Sequence, residues 1–187
     1  WLRLNKQLIQ DELLIVRCQQ GDRQALEDLV RLYEKRLLYY IRKLVSNEQD
    51  AWNILQDTWL KVLRSIDRLK DPRLLTVWLY HITRNTIMDY HRGKYADILR
   101  FQQNDCEASL PNDSAPILID NVQLVHHCLG QLSPPHREVL TLHFLEEMPL
   151  EAIAAITNTS VGTVKSRLFY AKQNLKIQIE KEMHNEK

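Results

Sequence analysis

Apolar residues recur at three- and four-residue spacing along most of this chain, and no stretch of any length alternates in the strand pattern. The segments Leu13–Cys18, Gln24–Val45, Ala51–Leu69, Val77–His91, Val122–Leu132, Pro135–Leu145, Leu150–Thr157 and Val161–Glu182 all carry the helical period. A stripe of that period is buried when it meets another helix, so the chain is expected to pack helix on helix. Asp71-Pro72, Arg92-Gly93, Ser133-Pro134-Pro135 and Met148-Pro149 fall between these segments, where helix breakers belong. Asn104–Pro116 (NDCEASLPNDSAP) is polar, acidic and broken by proline, and reads as a flexible linker. The expected fold class is all-α, with two small helical domains at residues 1–94 and 122–187 joined by a flexible acidic linker at 95–121.

Composition removes whole classes of function. The 187 residues suit one domain or two small ones, and 44% apolar content excludes wholesale disorder. No run approaches the roughly 20 apolar residues of a membrane span, so the chain is not expected to be a membrane protein. Only 4 glycines argue against a glycine-rich phosphate loop or a turn-dense barrel. Cys18, Cys106 and Cys128 form no CxxC and are odd in number, which suits a reducing cytoplasm. No signal peptide opens the chain, and a first residue of Trp suggests numbering that starts inside a longer one. Neither paired acids nor a nucleophile–base arrangement stands out, so no enzyme is expected. His126-His127-Cys128 are adjacent on one helix and point about 100° apart, so no metal or other cofactor is expected.

The net charge of +1 conceals an uneven distribution. Residues 1–94 hold 17 Lys/Arg against 12 Asp/Glu, whereas residues 95–121 hold only Arg100 against five acids. Residues 122–187 balance 7 against 7, yet Val161–Lys176 carries Lys165, Arg167, Lys172 and Lys176 with no acid. That order of basic, acidic and locally basic suits two nucleic-acid-facing modules on a tether.

LEAIAAITNTSVGTVKSRLFYAKQNL (150–175) reads as a short helix, a tight turn and a second helix. Leu150, Ile153, Ala154 and Ile156 form the first apolar face, and Ser160 is placed to cap the second helix. On the second, Val164, Leu168, Ala171 and Leu175 share the inward stripe. Gly162, Ser166, Phe169 and Gln173 face out, flanked by Thr163, Lys165 and Tyr170. Small and polar residues near a helix N-terminus with basic flanks suit the major groove. Lys165, Arg167 and Lys172 are then phosphate contacts, Ser166 and Lys165 reach base edges, and Phe169 meets a thymine methyl.

Two helices of the first module carry further candidates. In Ala51–Ile66 the buried stripe is Ala51, Leu55, Trp59, Val62 and Ile66, leaving Asn53, Gln56, Asp57, Leu60 and Arg64 outside. An exposed leucine among polar groups suits protein docking, the leucine supplying burial and its neighbours the register. In Val77–Arg92, His81, Arg84, Asn85, Met88 and Arg92 share one face, which suits a strand whose bases are exposed. Trp78 and Tyr80 are candidate stacking surfaces there, although aromatics at such positions are more often core.

These motifs together resemble one family. LSPPHREVLTLHFLEEMPLEAIAAITNTSVGTVKSRLFYAKQNL is similar to region four of the bacterial extracytoplasmic-function (ECF) sigma factors. QQGDRQALEDLVRLYEKRLLYYIRKL, DAWNILQDTWLKVLRSIDRL and TVWLYHITRNTIMDYHR are similar, in order, to region two. The resemblance implies that Asn53, Gln56, Asp57 and Leu60 grip the clamp coiled coil of core RNA polymerase. It implies that the loop Lys70–Leu75, with Lys70 and Arg73, joins Trp78, His81, Arg84, Asn85 and Arg92 in reading an opened minus-ten element with one base flipped out. It implies that Thr163, Lys165, Ser166, Arg167, Phe169, Tyr170 and Lys172 bind promoter DNA at the minus-thirty-five element. It also implies an anti-sigma partner, often membrane-anchored, covering these faces. Trp52 and Asn53 depart from the family, which usually has acids there. The competing reading is a free-standing dimeric helix-turn-helix regulator, which predicts tight palindrome binding without polymerase.

Overall fold

Residues 12–101 and 121–185 are described by the computed structural model, and every regular element among them is helical. α1 spans residues 12–19 and ends where Gly21 turns to a φ of +78°. Gly21 N–H donates to the Cys18 carbonyl and Asp22 N–H to that of Arg17, the paired closure a left-handed glycine allows. Asp22 then caps α2 (Arg23–Leu44), accepting from the N–H groups of Gln24 and Ala25. Asn47 caps α3 (Glu48–Ser65) in the same way, and α3 tightens into a 3-10 turn at Ile66–Arg68. Asp71 caps a second such turn, Pro72–Leu74, before α4 (Leu75–Phe101).

The second lobe holds α5 (Asn121–Gly130), α6 (Pro134–Leu140), a π turn (Thr141–Leu145), α7 (Leu150–Thr157) and α8 (Val161–Asn185). Pro134 sits in the first turn of α6 and Pro149 caps α7, positions at which a missing N–H costs nothing. Most boundaries fall within a few residues of the sequence reading, and two departures are larger. Gly93 does not end α4, which runs on to Phe101, so residues 95–101 of the expected linker are helical. A mid-helix glycine costs only about 1 kcal/mol, and nearby side chains hold this one in place. Tyr90 donates to Asp50 at 2.6 Å, and Lys94 donates to the Tyr90 hydroxyl at 3.1 Å. The expected single helix Pro135–Leu145 instead loosens at Thr141, where the Glu146 N–H reaches five residues back to the Thr141 carbonyl. The rest of the linker (102–120, with Cys106) and residues 1–11 lie outside the described residues.

Each lobe buries the stripes its sequence offers. Leu29, Leu37, Ile41, Leu55, Val62, Leu79 and Ile87 are buried in the first and Leu142, Ile153, Ile156, Val164 and Ala171 in the second, and together they form one continuous apolar core. At about 1.5–3 kcal/mol for each large side chain, this burial drives the folding of both lobes. The lobes also pack on each other, α2 against α6 and α4 against α7. Tyr40 and Tyr80 lie fully buried, their rings 5.3 Å apart. Tyr80 is therefore core, the commoner of the two roles open to it from sequence, and offers no stacking surface. Burial pushes its hydroxyl well above the ordinary tyrosine value, and Glu146 adds to that.

Candidate nucleic-acid and protein interfaces

The helix-turn-helix closes through a left-handed Asn158 (φ 53°), the residue after glycine best suited to that conformation. Ser160 Oγ accepts from the Thr163 N–H at 3.1 Å, so the expected cap forms. Val164, Leu168 and Ala171 point inward while Lys165, Ser166, Phe169, Tyr170 and Lys172 stand exposed. Phe169 and Tyr170 meet edge to face at 5.4 Å and present an aromatic corner to solvent. Ser166 Oγ donates to the Thr163 carbonyl at 3.0 Å, which fixes the hydroxyl against its own helix. Thr163 and Arg167 are half-buried, at the edges of this face.

On α4 the expected face divides. Asn85 is exposed, with its Nδ2 3.3 Å from His81 Nδ1, and Arg92 is exposed and paired with Asp89. Trp78 and His81 are half-buried and border a cavity of about 400 Å³ with Lys70, Asp71, Leu74 and Ala155, the last contributed by α7 of the other lobe. Arg73 is exposed and bonded twice to Asp71, at 2.9 Å each. Arg84 is the exception. Its side chain is 18% exposed and donates to Glu138 of α6 at 2.9 Å, so this candidate is turned into the lobe contact instead of facing solvent.

The outward side of α3 carries Asn53, Gln56, Asp57 and Leu60, all exposed, with Leu60 at 50%. The sequence reading missed Leu63, also exposed, which joins Leu26 and Val30 of α2 in a shallow groove. Trp52, where the family usually has an acid, donates to Glu48 at 3.0 Å and lies 6.0 Å from the Arg42 guanidinium. An apolar cleft of about 530 Å³ on the second lobe, walled by Val125, Leu129, Phe144, Leu175 and Ile179, was also unforeseen.

The contact between lobes is ionic as well as apolar. Glu138 accepts from both Tyr40 (2.8 Å) and Arg84 (2.9 Å), and Arg36 of α2 donates to Glu146 at 2.9 Å. Both carboxylates are almost fully buried, at 5% exposure. Arg137 returns the contact by donating to the Lys43 carbonyl at 2.9 Å. His127 lies near Gln131 and Glu182, Cys128 is buried, and His126 faces α2, so these three diverge as their helical spacing requires.

His126 gives this joint a pH dependence. Tyr39 Oη and Lys43 Nζ both lie beside its Nδ1, at 3.2 and 3.1 Å. Both face a neutral ring that accepts at that nitrogen. Burial, and then the Lys43 charge, hold the imidazole below its ordinary value, while burial and the Arg137 charge lower Lys43 in turn. Opening therefore takes up a proton, and closure should be intact above about pH 6.5 and weaken as pH falls below it. A distance probe across the lobes should report opening as pH falls below about 6.5, and His126→Gln should flatten that profile. A wild-type profile already flat over this range would remove His126 from the joint.

Two helical lobes, one ending in a helix-turn-helix and the other presenting a polar and aromatic face, define a class of DNA-binding protein. Comparison makes the class specific. The description "Sigma-70 region 2" matches residues 20–96 and "Sigma-70, region 4" matches residues 123–175. RNA polymerase sigma-H factor of Pseudomonas aeruginosa is 29% identical over 175 residues, covering 88% of this chain and 91% of that protein. ECF RNA polymerase sigma factor SigW of Bacillus subtilis is 25% identical over 177 residues, covering 88% and 94%. Among solved structures, the sigma factor RpoE in complex with the anti-sigma factor NepR, from Bartonella quintana, aligns with a TM-score of 0.69 and 25% identity, covering 82% of this chain and 96% of that one. The chain belongs to the sigma-70 family, among the ECF sigma factors of RNA polymerase.

Proposed function

We propose that this chain directs promoter recognition and opening by dividing the work between its lobes. The exposed side of α3, with Leu60 as apolar anchor and Asn53, Gln56 and Asp57 around it, docks core RNA polymerase. The Lys70–Leu75 loop and the α4 face bearing His81, Asn85 and Arg92 hold the opened minus-ten strand, with Trp78 at the border of the pocket for an extruded base. Extrusion costs a few kcal/mol, which stacking and base-edge hydrogen bonds must return. The N-terminal half of α8 lies in the major groove of the minus-thirty-five element. Lys165 and Lys172 meet phosphates there, while Ser166 and Phe169 face base edges. Thr163, Arg167 and Tyr170 flank them. The observation that carries this reading is the pairing of an acid-free, exposed helix-turn-helix face with a second, chemically different face on α4.

The chain makes or breaks no bond in this scheme. Holding only the unpaired strand shifts duplex toward the melted state, as any ligand favours the form it binds better. The work is done in the cytoplasm, where promoter DNA is, and an anti-sigma factor that covers these faces would silence it. Lobes in contact cannot span a promoter. Elements about 25 base pairs apart lie roughly 85 Å from each other at 3.4 Å per step. The 19 residues between Phe101 and Asn121 reach at most about 65 Å when extended. With the lobes' own width added, that is enough once Arg84 and Glu138 part. Arg84 is then free to join the strand-facing set.

Run-off transcription with purified core polymerase tests the scheme. Asn85→Ala should cut opening about tenfold with upstream binding intact, and Ser166→Ala should weaken upstream discrimination by about 1–3 kcal/mol with opening on a pre-melted template intact. Activity unchanged by both substitutions would refute the two site assignments.

A further inference from the structure

The Lys70–Leu75 loop owes its starting direction to a residue outside it. Gln19, in the last turn of α1, reaches 47 and 50 residues along the chain. Its Nε2 donates to the Ile66 carbonyl at 3.0 Å and to the Leu69 carbonyl at 2.9 Å. An amide carries two N–H groups, so one side chain serves both acceptors. The Ile66 carbonyl also accepts the Leu69 N–H at 3.1 Å, which makes a three-point clasp at the end of the 3-10 turn. Leu69, its side chain buried, then leaves that turn in an extended conformation (φ −73°, ψ 99°), and Lys70 follows directly.

Gln19 is itself held in place. The left-handed Gly21 and the Asp22 cap fix the end of α1, and Arg17 bonds Asp22 at 2.8 Å. Past the clasp, Asp71 accepts from the Arg73 backbone N–H and from its Nε and Nη2, so the far side of the loop is fixed as well. Lys70 is the exposed residue between these two fixed points.

We infer that Gln19 is a positioning residue for minus-ten recognition, setting the path on which Lys70 and the following loop meet the exposed strand. The inference rests on the proposed reading of Lys70–Leu75 as the strand-facing loop. A group held on a rigid frame discriminates better than the same group on a loose one, so the clasp should act on selectivity before total activity.

The test uses the full chain with core polymerase, measuring opening across single-base variants of one minus-ten element behind a fixed upstream element. Gln19→Glu keeps the shape, removes both donors and sets a carboxylate against two carbonyls. It should flatten the spread between best and worst base at least threefold while polymerase affinity stays within twofold. Gln19→Lys restores donors and should keep the wild-type spread. If the carboxylate unfolds the lobe, Gln19→Met against Gln19→Lys makes the same comparison. A uniform fall in activity with the spread unchanged, or the same loss in Gln19→Lys as in Gln19→Met, overturns the inference. Lys70→Ala and Asn85→Ala run alongside. If neither alters the spread, the strand-facing reading fails and this inference with it. If they alter it and the Gln19 variants do not, the positioning role alone fails.

Discussion

Replacing Glu138 with alanine is expected to part the two lobes while leaving each folded. The carboxylate is 5% exposed, holds Arg84 at 2.9 Å and accepts the Tyr40 hydroxyl at 2.8 Å. Its removal strands a cation that is itself mostly buried and a tyrosine hydroxyl that is fully buried. Breaking a buried ion pair by deleting one partner costs about 3–5 kcal/mol, because the remaining charge has no counterpart. Arg84 retains some access to solvent, so the lower figure applies, and about 3 kcal/mol is a change of roughly 150-fold in the closed-to-open ratio. Small-angle scattering should show a larger radius of gyration, and a probe pair on α4 and α7 should separate. Glu138→Gln, which can still accept from Tyr40, should fall between the two, and Tyr40→Phe should cost only about 1 kcal/mol. An unchanged radius for Glu138→Ala would mean that the apolar contact alone holds the lobes.

The same substitution bears on DNA binding. A site available only in the open form binds with its affinity reduced by the open fraction. In the closed form Arg84 is occupied by Glu138, and Ala155 of α7 borders the cavity beside Trp78 and His81. Opening the joint should therefore tighten binding of a single-stranded minus-ten oligonucleotide by the isolated chain. Polymerase would supply the same bias for the wild-type protein by binding the separated lobes.

Local periodicity explains why so much of the fold was legible. Ala51, Leu55, Val62, Val164, Leu168 and Ala171 are buried as their spacing predicts, and the Ser160 cap forms because a short polar side chain precedes a helix. What could not be read are pairings between distant segments. Arg84 occupies an outward position on its own helix, and only α6, 54 residues away, turns that position into an interior one. Glu138 left one trace in the sequence, since it stands four residues before Leu142 on an otherwise uncharged stripe. An acid on such a stripe implies a buried partner without naming it. Gln19 left none, since nothing local distinguishes a glutamine that bonds the Ile66 and Leu69 carbonyls from a solvated one. Gly93 misled for the opposite reason. The local propensity was read correctly, but the Tyr90–Asp50 bond and the Lys94 contact carry the helix past it.

Leu60→Asp is expected to abolish productive association with core polymerase without harming the fold. Leu60 is 50% exposed on α3, while its neighbours Leu55 and Val62 supply the packing. A surface substitution of this kind changes stability by only about 0.5 kcal/mol. At an interface the same change removes an apolar anchor and places a charge where desolvation would leave it unpaired, and anchors of this sort are worth about 2 kcal/mol or more. Affinity should fall at least about 30-fold at that figure. Asn53→Ala, at the rim, should cost severalfold less, since rim contacts exclude water more than they bind. Co-migration with core polymerase in gel filtration and titration of a fluorescent chain measure both, and thermal unfolding checks the fold. Wild-type affinity in Leu60→Asp would move the docking surface off α3, toward the groove formed by Leu63, Leu26 and Val30, where Leu63→Asp would then show the loss.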